Sequence, residues 1–311
     1  MRTICPTRWN ILRFNNCLPV MIMDFRQAAS RIASILFGLV LLLPFGQIAA
    51  QQPPLRMALI PYLSPNILVP LFQPLATHLA KDIGRSVDLY TAPSIRSHVE
   101  RILKPDFDII FTAPHMGRLS QLDAGYVPIG SFERPLKGII TVRSDGPIDD
   151  VIHLKGRTIA INDRLVLNSI LTLQELEKRG INLSDIKVVP AASQNSAILS
   201  VIAGDVDAAI TVNFALSLIP EEQLRKVRIL LQTGDVANMP STLILAHPLM
   251  PTDLQSKLRA SLLRFAKTEE GKQFLISSSY SNVVSINPEH VKNLDIYLPE
   301  LRRLLAIKPG N

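Results

Sequence analysis

DIIFTAPHMGRL, residues Asp108 to Leu119, passes from a short apolar run straight into Thr112, Ala113, Pro114 and His115, and then into a helix-like pattern. Ile109, Ile110 and Phe111 predict a buried strand, being β-branched or aromatic and contiguous. Pro114 suits the first position of a helix, where its missing N–H would have had no partner. The stretch therefore predicts a strand that ends in a hydroxyl and hands over at once to a helix N-terminus.

The same alternation extends in both directions. LRMALI (Leu55 to Ile60) precedes a helical pattern of Leu68, Leu71, Phe72, Leu75 and Leu79 that closes at Gly84, and VDLYTA precedes PSIRSHVERIL. After KGIITVRSDGPIDD a second set follows. It comprises RTIAI, a helix over 165–179 stopped by Gly180, IKVVPA, a helix over 195–203 stopped by Gly204, and VDAAITV. STLILAH (Ser241 to His247) then leads into a helical C-terminal stretch over 253–307, broken at Gly271 and Pro288. Short apolar strands with helical crossovers predict a mostly parallel α/β architecture. The pattern leaves open one continuous sheet or two lobes joined near 139–143 and 241–247.

The first 50 residues read differently. Arg26 and Arg31 precede the apolar run IASILFGLVLLLPFG and then QIAAQQPP, the order of a cleavable export signal over about 23–50 with cleavage after Ala50. The uninterrupted run is shorter than the ~20 residues a spanning helix needs. Met21 and Met23 each stand where a conventional leader would start. The chain of 311 residues carries 33 basic and 26 acidic residues, but five basic and one acidic lie in this leader, leaving 28 against 25. That balance, with no basic cluster interleaved with aromatics, gives no support to a nucleic-acid partner. Both cysteines, Cys5 and Cys17, also lie in the leader, so the remainder is expected to use no thiol, disulfide or cysteine-based metal site.

Catalytic signatures are missing: there is no G-x-S-x-G, H-E-x-x-H, P-loop or G-x-G-x-x-G after the leader, and the six histidines stand singly. No enzyme, cofactor or metal is expected. What recurs is a polar residue at the carboxyl end of a strand, just before a helix: Tyr62 and Ser64, Thr91 and Ser94, Thr112 and His115, Asn162, Ser193, Asn195 and Ser196, and Thr211 and Asn213. In open α/β sheets ligands bind at that end, where helix N-termini favour anions. Each such residue has helix capping as its alternative role.

YLSPNILVPLFQPLATHLAKDIGRSVDLYTAPS, followed by DFDIIFTAPHMGRL, GYVPI and HLKGRTIAI, resembles the phosphate/phosphite/phosphonate-type substrate-binding proteins of ABC importers, over roughly Leu55 to Ala266. The resemblance implies an α/β chain with a type II periplasmic-binding-protein fold: two α/β lobes joined by two crossover strands, with a ligand cleft between them closed by hinge motion. It places lobe 1 at 53–143 plus 241–311 and lobe 2 at 144–240. It carries binding groups to the Tyr62 loop, the Thr91 to Ser94 turn, Thr112, the segment 163–169, Ser193 to Ser196, and the vicinity of Asn213 and Phe214. Against the family pattern, RLVLNSI (Arg164 to Ile170) replaces a hydroxyl-rich cradle and retains only Asn168 and Ser169 as polar groups. Ser193 stands where a histidine is expected, and Phe214 where an acid would hold an aminoalkyl ligand. Arg164 is a candidate bidentate contact in place of the cradle. The implied role is a monomeric periplasmic protein that captures a small anionic or polar ligand for an ABC permease; a membrane sensor is the alternative recipient.

Overall fold

The computed structural model describes residues 52–234 and 238–306; the expected leader lies outside the described residues. The chain opens with β1 (Leu55–Leu59), α1 (Pro65–Ile83), β2 (Val87–Tyr90), α2 (Ile95–Ile102), β3 (Ile109–Thr112), α3 (Pro114–Ala124) and β4 (Val127–Glu133). Helix α1 buries Leu68, Phe72, Leu75, Ala76 and Leu79 along one stripe, as the 3.6-residue spacing predicts. It ends at Gly84, whose φ of 73° is the left-handed conformation a helix stop favours. In the opening stretch, β3 is buried throughout and Pro114 is the first residue of α3.

Next come β5 (Gly138–Arg143), β6 (Thr158–Ile161), α4 (Leu167–Lys178), β7 (Lys187–Pro190), α5 (Gln194–Ala203), β8 (Ala208–Val212), the short α6 (Glu221–Leu224) and β9 (Val227–Gln232). The chain finishes with β10 (Leu243–Ala246), α7 (Thr252–Phe265), α8 (Glu269–Ser278), β11 (Asn282–Val284), α9 (Pro288–Lys292) and α10 (Leu298–Ala306).

Two sheets result, ordered β11-β4-β10-β3-β1-β2 and β7-β6-β8-β5-β9. One continuous sheet is thereby ruled out, and two expectations are corrected. Residues 138–143 pair with β8 and β9, so they belong to the second lobe and not the first. The sheets are also mixed rather than mostly parallel. Strands β1, β2 and β3 run parallel, as do β6, β7 and β8, but β10 lies antiparallel between β3 and β4. The cause is the crossing of the chain between lobes, once after Glu133 and once after Gln232: a strand arriving from the other lobe enters its sheet from the opposite end.

A third expectation moves slightly. The helical break expected at Gly271 falls between Phe265 and Glu269, where the Thr268 hydroxyl accepts the Gly271 N–H at 2.9 Å. Gly271 is there for proximity, since a Cβ on it would stand 1.7 Å from the Phe265 carbonyl oxygen.

Candidate functional site

The carboxyl ends of β1 and β3 face the N-terminus of α4 and the end of β8 across a small cavity. Both crossovers contribute to its wall: Arg134 and Leu136 from the first, Ser241 and Thr242 from the second. Tyr280, in the turn between α8 and β11, and Phe214, just after β8, complete it. The cavity therefore lies where the lobes meet, as a strand-end site requires.

Arg134 dominates its electrostatics. It is 8% exposed, and its guanidinium lies 3.0 Å from the ring centre of Phe214, 4.0 Å from that of Tyr280 and 5.8 Å from that of Tyr62. Its Nη1 donates to the Ser278 carbonyl, the C-terminal end of α8, at 2.8 Å, while Nε has no partner. Among the described residues no carboxylate lines the cavity and none acts on Arg134. Burial therefore lowers its pKa, opposed only by the neighbouring tyrosines. Three aromatic faces and a helix end offset part of the desolvation, but the charge has no counterion.

Around it stand polar groups without partners. The hydroxyls of Tyr62 and Tyr280 are buried and make no hydrogen bond of ordinary geometry, although they lie close enough to perturb each other. Burial raises both phenols, so at neutral pH each keeps its proton and is a donor. Asn168, in the first turn of α4 and 6% exposed, leaves its Nδ2 unpartnered. Val166 precedes that helix and offers no side-chain cap, so the end of α4 facing the cavity is electrically open.

Of the residues singled out from the sequence, Tyr62 and Thr112 line the cavity. Thr112 is fully buried, and its Oγ1 lies 3.0 Å from His98 Nε2. His115 sits behind the wall: its Nε2–H donates to the Leu165 carbonyl at 2.7 Å, bridging the lobes, and Nδ1 has no partner. Ser94 caps α2, and Thr91 donates to the Leu59 carbonyl at 3.2 Å; neither reaches the cavity, nor does Ser64 before α1. Ser193 and Ser196 are turned onto each other as a capping box closing α5, with Asn195 accepting from the Ser193 hydroxyl at 2.6 Å. From that turn only Gln194 lines the cavity, and its Oε1 is taken by the Val212 N–H. Asn213 accepts the Lys137 N–H and donates to the Pro135 carbonyl, so it fixes the first crossover. Asn162 donates to Ala191, and Thr211, like Asn162, is not in the cavity wall. Arg164 lies in a separate recess with Glu177, Glu300 and Arg303.

The matching family model, described as the phosphonate-type periplasmic substrate-binding protein of an ABC transporter, spans residues 57–291 and so includes both lobes and the cavity between them. The chain belongs to this family. Its fold is that of solved binding proteins at low identity. PhnD1 from Prochlorococcus marinus in complex with methylphosphonate superposes with a TM-score of 0.71 at 15% identity, over 80% of this chain and 98% of that one. The binding component of an ABC phosphonate transporter from Pseudomonas aeruginosa gives 0.71 at 14%, over 83% and 91%. The alkanesulfonate-binding protein SsuA from Xanthomonas axonopodis pv. citri bound to MOPS gives 0.57 at 19%, over 83% and 96%. Among curated proteins, no sequence matches the chain. These neighbours carry the type II periplasmic-binding-protein fold, and this member of the phosphonate-type family shares it.

Sequence reasoning missed Arg134, Gln194, Ser241, Thr242 and Tyr280 in this family member's cavity. Arg134 is one of two basic residues, with Lys137, in the break ERPLK between two apolar runs, which was a usable signal. One small residue holds the cavity's shape. A Cβ on Gly138 would stand 2.1 Å from Thr172 Oγ1 and 2.7 Å from the Asn168 carbonyl oxygen, so β5 and α4 touch there at backbone distance. Gly138→Ala is expected to push the first turns of α4 outward and to destabilise by about 1–3 kcal/mol in urea denaturation. The same displacement moves Asn168, so ligand affinity should fall with it.

Proposed function

We propose that this protein captures a small anion in the cleft between its lobes and delivers it to an ABC permease, after export by a cleavable leader. The family supplies the transport role. The observation that carries the anion is Arg134: a buried cation, among aromatic rings, with no carboxylate partner. A ligand's negative charge is what that arrangement lacks. Among the described residues no helix is long and apolar enough to cross a membrane. Among the described residues the cavity wall holds no histidine, cysteine, lysine or carboxylate, so they offer no nucleophile with an adjacent base. The protein is accordingly proposed to bind rather than convert its ligand.

Thermal denaturation of the protein lacking residues 1–50, against phosphonates, phosphate, sulfonates and carboxylates, tests this reading. A ligand at 100 times its dissociation constant is expected to add about 2.7 kcal/mol of stability. A panel in which no anion raises the transition overturns it.

A further inference from the structure

If the cleft captures an anion, as proposed above, the chemistry of its wall selects for more than a negative charge. We infer that the ligand is a small organic monoanion with an apolar body and no ammonium group. Three observations support this class.

Charge comes first. Among the described residues Arg134 is the only ionised side chain in the wall, so one negative charge is neutralised and a second would remain buried without a partner. A ligand ammonium would meet no carboxylate at all.

Hydrogen-bond capacity is the second. In the cavity wall, the buried side-chain donors of the described residues left without a hydrogen bond of ordinary geometry include Arg134 Nε, Asn168 Nδ2 and the hydroxyls of Tyr62 and Tyr280. The remaining hydroxyls are engaged: Thr112 by His98, and Ser241 and Thr242 by the backbone of Phe132. Together with the open N–H groups at the start of α4, these present donors to an anion and no spare acceptor, which suits a carboxylate or sulfonate, whose oxygens only accept. Inorganic phosphate presents more acceptors, a second charge and a P–OH proton that needs an acceptor of its own.

Shape is the third. Ile60, Leu136, Val166, Leu167 and Val212 present aliphatic surface to the same space. A bare inorganic ion would leave that surface uncovered, whereas an alkyl or aryl body would be removed from water against it.

Calorimetric titration of the protein lacking residues 1–50 with four probes decides the question: pentanoate, 5-aminopentanoate, 1-butanesulfonate and inorganic phosphate. Pentanoate and its amino derivative differ only in the ammonium, which here would be buried unpaired. The expected outcome is that pentanoate or butanesulfonate binds on the order of 100-fold or more tighter than 5-aminopentanoate, with phosphate also weaker than both. Phosphate or 5-aminopentanoate binding as tightly as the better of the other two overturns the inferred class while anion capture stands. If none of the four binds, the inferred class falls, and anion capture is decided by the wider panel that includes phosphonates.

Discussion

Arg134→Met is expected to weaken anion binding by roughly 30-fold to several thousand-fold while shifting the stability of the ligand-free protein by no more than about 3 kcal/mol in either direction. The two effects part because they draw on different states. In the ligand-free cleft the guanidinium is desolvated and meets only ring faces and the Ser278 carbonyl. Replacing a buried charge by an apolar side chain of similar volume is often neutral, or stabilising by about 1–4 kcal/mol. The lost hydrogen bond to Ser278 offsets about 1.5–3 kcal/mol of any gain. In the liganded cleft the same change leaves an anion buried without its partner, at about 2–5 kcal/mol, or roughly 30-fold to several thousand-fold in affinity. Paired urea denaturation and calorimetry would check it. A variant that loses stability and keeps its affinity would make Arg134 a structural residue.

Acid should destabilise the protein well above the pH at which carboxylates protonate. His98 and His115 are fully buried, and desolvation pushes their pKa values down to about 3 and about 4, from an ordinary 6.5. Arg101 deepens the shift at His98; at His115 the hydrogen bond to Leu165 opposes it. Below pH 6.5 the unfolded chain therefore binds protons that the folded one refuses. Stability from this source is accordingly present above pH 6.5 and is lost as pH falls toward the folded values. Each histidine contributes a slope of about 1.4 kcal/mol per pH unit, so between pH 6.5 and 4.5 the pair removes on the order of 5 kcal/mol. That is comparable to the whole stability of an ordinary domain. Asp163, whose pKa burial raises, acts in the opposite sense, while Asp82 and Asp295, held low by hydrogen bonds to Ser261 and Arg118, respond only in stronger acid. Urea denaturation across pH 7 to 4.5 should show the slope, and His98→Gln or His115→Gln should each remove about half of it. An unchanged slope in both variants would assign the acid sensitivity elsewhere.

Local signals carried most of the secondary structure. The stripe Leu68, Phe72, Leu75 and Leu79 and the stops at Gly84 and Gly204 are properties of neighbouring residues, and they survive folding unchanged. Sheet membership is a property of distant ones. That residues 138–143 pair with β8 and β9 rather than with β4 is decided by partners some 70 to 90 positions away. The site divides the same way. Tyr62 and Thr112 were legible because a strand end points them at the cleft. Arg134 and Tyr280 were not, since their roles depend on meeting Phe214 and the end of α8, contacts made only once both lobes exist. Ser193 and Ser196 show the converse: their hydroxyls are taken up in capping the start of α5 and stay out of the cavity wall.

The insertion of β10 between β3 and β4 also sets an order of assembly. The second sheet is contiguous in sequence, from Gly138 to Gln232, and has all its strands as soon as that stretch is available. The first sheet has no such independence. Its centre is empty until residues 243–246 arrive, so β4 and β11 cannot join β1, β2 and β3 before the entire second lobe has been made. Pairings across such long loops are slow to form, and until they form the edges of β3 and β4 are open templates for other chains. The part of the molecule that begins first is thus the part that finishes last.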